Sequence, residues 1–196
     1  MIAFKPGAFA MPVTAEQAVG WCPSPGGGWS GGTPPRVPVH YSIWPPNEYR
    51  LTADEVPRLQ EFWRDFRGIK DRRFRLACER LWRGVLQQDP RDAILEFVIG
   101  LEAICHVGEG ELSFRLAGRA AAALGKTADE RLRIFKEVRR AYKYRSAVVH
   151  GEAPRAEHAA CENAERILRD SVHFWLREPA LMEKPDQLDD RLVAGR

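Results

Sequence analysis

The stretch Asp89-Pro90-Arg91-Asp92-Ala93-Ile94-Leu95-Glu96-Phe97-Val98-Ile99-Gly100-Leu101-Glu102-Ala103-Ile104 decides the fold. Asp89 and Pro90 break the preceding segment, and proline suits the first turn of a helix, where a backbone donor has no partner anyway. Over residues 91–106, Ile94, Leu95, Phe97, Val98, Ile99, Leu101 and Ile104 surround most of the helix circumference. A helix that is apolar nearly all round belongs at the centre of a bundle. Glu102 falls inside this apolar arc beside Leu95, Val98 and Ile99, whereas Glu96 faces the polar side with Asp92.

Working outward, the segments on both sides read as amphipathic helices. Thr52-x-x-Glu55 has the form of a capping box, followed by Leu59, Phe62, Trp63 and Phe66 on one face. Residues 71–88 carry Phe74, Ala77, Cys78, Leu81, Trp82 and Val85 at helical spacing. Their opposite face holds Arg72, Arg73, Arg75, Arg80 and Arg83, a pattern that fits a solvated surface or a binding face. Residues 110–124 are alanine-rich and end at Gly125, a C-cap residue type. Thr127-x-x-Glu130 opens a fifth helix that runs to His150, and Gly151 and Pro154 separate it from a sixth over 155–177. No strand pattern follows residue 50. The expected fold is all-α, an antiparallel helical bundle with short connections.

Three regions are expected: an irregular arm over 1–50, the helical domain over 51–180 and a tail over 181–196. The arm holds nine of the fourteen prolines and the run Gly26-Gly27-Gly28-Trp29-Ser30-Gly31-Gly32, so it resists regular structure. It reads as a loosely ordered arm, a remnant of an upstream domain or a proline-rich docking segment. The tail is acidic at Asp186, Asp189 and Asp190. A net charge of +3 in 196 residues is far from that of a protein that coats nucleic acid nonspecifically. Cys22, Cys78, Cys105 and Cys161 are widely spaced, without the pairing of a zinc site, and the three that fall in helical apolar patterns read as core thiols. No run approaches the roughly 18 apolar residues of a membrane span, and no signal-peptide layout opens the chain, so the cytoplasm is the expected compartment.

One heptapeptide stands apart from this scaffold: Arg145-Ser146-Ala147-Val148-Val149-His150-Gly151. It places a permanent cation and the side chain that titrates near neutrality at a helix end. On the wheel Ile134, Val138, Ala141 and Val148 form an apolar stripe with Arg145 in its middle. An arginine there calls for a carboxylate or phosphate partner, and Glu102 is the intrachain candidate. Such a pair can simply fix packing. His150 lies about 140° around the helix from Arg145, so the two do not share a face, and His150 can equally be a C-cap. Convergence needs a distorted helix end or a second chain.

Arg145-x4-His150 resembles the Arg-x4–6-His motif of the HEPN superfamily (higher eukaryotes and prokaryotes nucleotide-binding). Its context is similar to the ApeA-like HEPN branch. The matching blocks are Asp92-Ala93-Ile94-Leu95 leading to Leu101-Glu102-Ala103, then Phe114-Arg115-Leu116-Ala117-x-Arg119-Ala120-Ala121, then Tyr142-x-x-Arg145-Ser146. The resemblance covers about residues 55–180. It implies an α-helical bundle that dimerises to bring two motifs to a shared cleft, and a metal-independent endoribonuclease in toxin–antitoxin or antiphage systems. Other members have lost catalysis and bind RNA or a partner protein. ApeA-like proteins carry a further N-terminal domain, whose place the proline- and glycine-rich arm takes here.

Carried onto this chain, the resemblance makes Arg145 and His150 the catalytic pair, with Ser146 and Glu102 in support. His150 would take the proton of a ribose 2′-OH, and the oxygen would attack the adjacent phosphorus. Arg145 would hold the phosphate and stabilise its developing charge. Ser146 would contact the phosphate, and Glu102 would orient Arg145. The products would be a 2′,3′-cyclic phosphate and a 5′-hydroxyl, so RNA is the expected substrate. No cofactor and no metal are expected: no acidic cluster suggests a catalytic magnesium, and Gly26–Gly32 lacks the lysine of a nucleotide-binding loop. The partners expected are RNA, a second copy of the chain and an antitoxin or other regulator.

Overall fold

A computed structural model describes residues 52–87, 89–105, 111–152, 158–184 and 186–194. The arm over 1–50 and Cys22 lie outside the described residues. Those described form an all-α bundle of eight helices without strands. They are α1 (Glu55–Gly68), α2 (Arg72–Leu86), α3 (Pro90–Ile104), α4 (Leu112–Leu124), α5 (Ala128–Val149), α6 (His158–Arg177), α7 (Pro179–Glu183) and α8 (Asp186–Ala194).

The helix around which the sequence reading turned is central. α3 packs against α2, α5 and α6, and Phe97 and Leu101 lose all their solvent exposure there. Asp89 caps it by accepting the Arg91 N–H at 2.8 Å, with Pro90 in the first turn. On its α2 side the Phe97 ring lies so close to Gly84 that a methyl group on that glycine would collide with it. On its α6 side it meets Leu168, which with Ile167, Val172 and Trp175 makes α6 the second buried column. Each such large side chain contributes about 1.5–3 kcal/mol by leaving water.

The helix starts follow from local chemistry. Thr127 accepts the Glu130 N–H at 3.2 Å while the Glu130 carboxylate accepts the Thr127 N–H at 3.2 Å, so this capping box is complete. The Thr52 box forms only in part. Glu55 accepts from the Thr52 N–H and hydroxyl at 3.0 Å each, but the Glu55 N–H goes to the Thr52 carbonyl, not to the hydroxyl. Gly125 does end α4, though with an ordinary extended φ of −85°. Its glycine is required by space: a Cβ would stand 2.8 Å from the backbone of Arg131 as the chain turns into α5.

Two charged groups that the wheel put on the polar faces of separate helices come together. Glu96 accepts from Arg80 at 3.0 Å, so the polar side of α3 and the basic face of α2 meet and largely cover each other there. Arg73 folds back onto Asp71, the α2 cap, and Arg83 pairs with Glu79 at 2.6 Å. The acidic C-terminal segment forms α8, whose Leu188 is wholly buried and whose Asp186 and Asp189 engage Arg119 of α4.

Candidate functional site

The site is built by the way α5 ends. Gly151 takes the left-handed conformation at φ +79°, which a glycine adopts without steric penalty. Its N–H donates to the Val148 carbonyl at 3.0 Å, and the Glu152 N–H donates to the Ala147 carbonyl at 2.9 Å. These are the two bonds of a Schellman motif. His150 is therefore the C-cap residue, with its N–H on the Ser146 carbonyl at 3.0 Å and its side chain exposed. The helix keeps its regular course to Val149, so no distortion swings His150 toward Arg145.

Arg145 points where the wheel placed it. Ile134, Val138 and Ala141 are buried, Val148 is half-buried, and Arg145 extends from among them to Glu102 of α3. Its Nη2 lies 3.8 Å from Glu102 Oε2, an ion pair too long to be a hydrogen bond. The guanidinium carbon stands 5.8 Å from the centre of the Tyr142 ring. Nε is buried and, among the described residues, has no hydrogen-bond partner. Burial pushes the Glu102 carboxyl above its ordinary value, and the nearby Arg145 charge offsets this in part. With side-chain exposures of 28% and 25%, both groups are reachable from solvent.

Arg119 makes bonds of 2.5–3.1 Å to two carboxylates and a carbonyl. Arg80 reaches Glu96 at 3.0 Å, though its Nε, like that of Arg145, is buried without a hydrogen-bond partner among the described residues. Arg145 is held in place with much of its hydrogen-bonding capacity unmet, and a guanidinium in that state can take the oxygens of an anion.

The structure thus joins Arg145 to Glu102 and leaves His150 apart. Among the described residues, His150 makes no hydrogen bond or ion pair with either of them. Ser146 is half-buried and about 100° around α5 from Arg145. It belongs to a row that the sequence reading missed: Leu132, Phe135, Arg139, Tyr142, Ser146 and Val149. Their spacing alternates three and four residues, the seam pattern of a helix that packs against another. Leu132 is 52% exposed and Val149 56%, and Phe114 of α4 extends the patch by an edge contact with Phe135. His150 borders this row on the same side of the helix. The signal was legible as spacing but was masked by the stronger stripe through Ile134 and Val138.

Cys78, Cys105 and Cys161 are free thiols, and burial pushes each up to about 12, which suits core residues. Among the described residues no cluster of three or more His, Cys, Asp or Glu is placed to hold a metal ion, and no helix is long and apolar enough to cross a membrane. Compared with protein-family models, curated proteins and solved structures, the chain matches none.

Proposed function

We propose that the chain is a HEPN-type, metal-independent endoribonuclease that works as a homodimer in the cytoplasm, in antiphage defence or a toxin-like stress response. The observation that carries this reading is the state of Arg145: anchored beside Glu102 at 3.8 Å, solvent-reachable, and short of hydrogen-bond partners. Such a group is prepared to receive a phosphate. The resemblance of Arg145-x4-His150 to the HEPN motif supplies the chemistry. In that chemistry His150 takes the 2′-OH proton, Arg145 holds the phosphate, Glu102 orients Arg145, and Ser146 stands by the phosphate. No cofactor enters.

The row on α5, exposed at Leu132, Arg139 and Val149, supports the homodimer, because His150 and Arg145 of one chain lie on different faces. A second copy seated on the row would bring its own motif to the same cleft. An antitoxin or other regulator would act by covering that cleft.

The test is cleavage of RNA by purified protein in EDTA, with products read for 2′,3′-cyclic phosphate ends. His150→Ala and Arg145→Ala are expected to lower the rate at least about 100-fold, the scale of a lost general base or oxyanion donor, with helix content unchanged. Cleavage that survives both substitutions, or that demands a divalent metal, sinks the reading. The separation of His150 from Arg145 within one chain favours one alternative, a noncatalytic HEPN module. It expects RNA or a protein partner to be bound, with no RNA cut.

A further inference from the structure

Arg115 and Arg119 are one helical turn apart on α4, and both meet the C-terminal helix α8. Arg119 is almost wholly buried, at 1% exposure. Its Nε and Nη2 grip Asp189 as a fork, at 2.8 and 2.7 Å, and Nη2 also donates to Asp186 at 2.5 Å. Nη1 donates to the Cys105 carbonyl at the end of α3, at 3.1 Å. Arg115 Nη2 stands 3.8 Å from the same Asp186 oxygen and 3.7 Å from the same Asp189 oxygen. Two acidic oxygens are therefore shared between two guanidinia.

That juxtaposition is the one a phosphate group makes between paired arginines: two oxygens, two negative charges, fork geometry. We propose that Arg115 and Arg119 form a phosphate-dianion site, which the chain's own α8 occupies with Asp186 and Asp189. Arg145 and His150 take no part in this site.

The occupant is built to be displaced. α8 has nine residues, too few to hold a helix by itself, so its order comes from docking. It packs chiefly on α4, through Leu188, through Leu192 over Gly118 and through the two aspartates. The Asp186 side chain is 84% exposed, so one of the two carboxylates can be replaced from solvent before the other lets go. Arg115, at 36% exposure, opens on the same side. A buried Arg119 that loses both carboxylates is costly, so displacement of α8 is favoured when another anion arrives. Competition for one site is reciprocal: phosphate loosens α8, and loosening α8 strengthens phosphate binding.

The experiment uses the full chain and inorganic phosphate, titrated calorimetrically at constant ionic strength. Asp186→Asn/Asp189→Asn is expected to bind phosphate at least ten-fold more tightly than the unsubstituted chain. Arg115→Ala in that background is expected to lose the gain. No gain in the double variant overturns the proposal. Should the double variant fail to fold, Asp186→Asn alone, at a mostly exposed side chain, is expected to give a gain of a few-fold, and no gain overturns the proposal equally. A second measurement needs no variant. Amide hydrogen exchange over 186–194 should quicken in phosphate relative to chloride of equal ionic strength, and unchanged exchange overturns the competition. The source of the phosphate is separated with a short 5′-phosphorylated oligodeoxynucleotide and its 5′-hydroxyl twin. Tighter binding of the phosphorylated strand supports a nucleic-acid terminus. Equal binding of the two, with inorganic phosphate still bound, supports the free ion.

Discussion

Gly151 combines a φ of +79° with open space around the position a Cβ would take. Its substitution therefore tests conformation alone, without a clash to confuse the result. Gly151→Ala is expected to destabilise the fold by about 1 kcal/mol, the cost of holding an L side chain in the left-handed region. Urea denaturation would show a lower midpoint and an unchanged slope. The residue was legible in the sequence because a glycine closing a long helical pattern has few other uses. Arg145 was legible too, since a charge inside an apolar stripe demands a partner and Glu102 was the one carboxylate in the facing arc. Glu96 was not. Its own helix puts it on the polar side, and only the packing of α2 across it brings Arg80 within 3.0 Å.

At the scale of elements, the charges that fasten α8 and those buried in the bundle respond to acid in opposite directions. Arg119 holds the Asp189 carboxyl below its ordinary value of 3.8. Its stabilisation is complete above that value and is lost as pH falls through the lower folded one. Burial holds Glu102 of α3 and Glu165 of α6 above their ordinary value of 4.5, so their protonation relieves a penalty as pH falls. Asp71 and Asp89, the caps of α2 and α3, are likewise held below their ordinary value of 3.8, but each fastens only a helix end. Lowering the pH below 3.8 is therefore expected to release α8 before the central helices. Exchange of the Leu188 and Leu192 amides should rise while that of Phe97 and Leu168 stays slow. Simultaneous loss of protection at all four would contradict this ordering. The α5 start offers a simpler check: Thr127→Ala removes one half of a complete capping box and is expected to cost about 1 kcal/mol in thermal or urea unfolding. Periodicity and caps made six helices readable in their order. α8 was harder, because its register shows only in relation to α4: Leu188 and Leu192 one turn apart, aspartates beside them, and arginines one turn apart on the partner.

At the scale of the whole molecule, the apolar circumference of α3 announced a central helix. Which helices surround it is a matter of shape, as where Gly84 admits the Phe97 ring, and periodicity does not encode that. The same blindness hid the half-exposed row of α5 that runs beside its buried stripe. Two faces of one helix are apolar, and the sequence reading followed the face that the monomer buries. If the outer row seats a second copy, Leu132 and Val149 lie at opposite ends of the contact and both are already half in water in the single chain. Leu132→Glu/Val149→Glu should then leave the monomer fold and its circular dichroism untouched. Across a symmetric interface it introduces four carboxylates, each disfavoured by about 1 kcal/mol or more where no partner meets it. Sedimentation velocity is expected to show a dimer for the unsubstituted chain at micromolar concentration and a monomer for the variant. RNA cleavage should fall with the dimer, since the His150 and Arg145 of one chain lie on different faces of α5. A monomeric unsubstituted chain that cleaves RNA through His150 would contradict the shared cleft and require a single helix end to supply both groups.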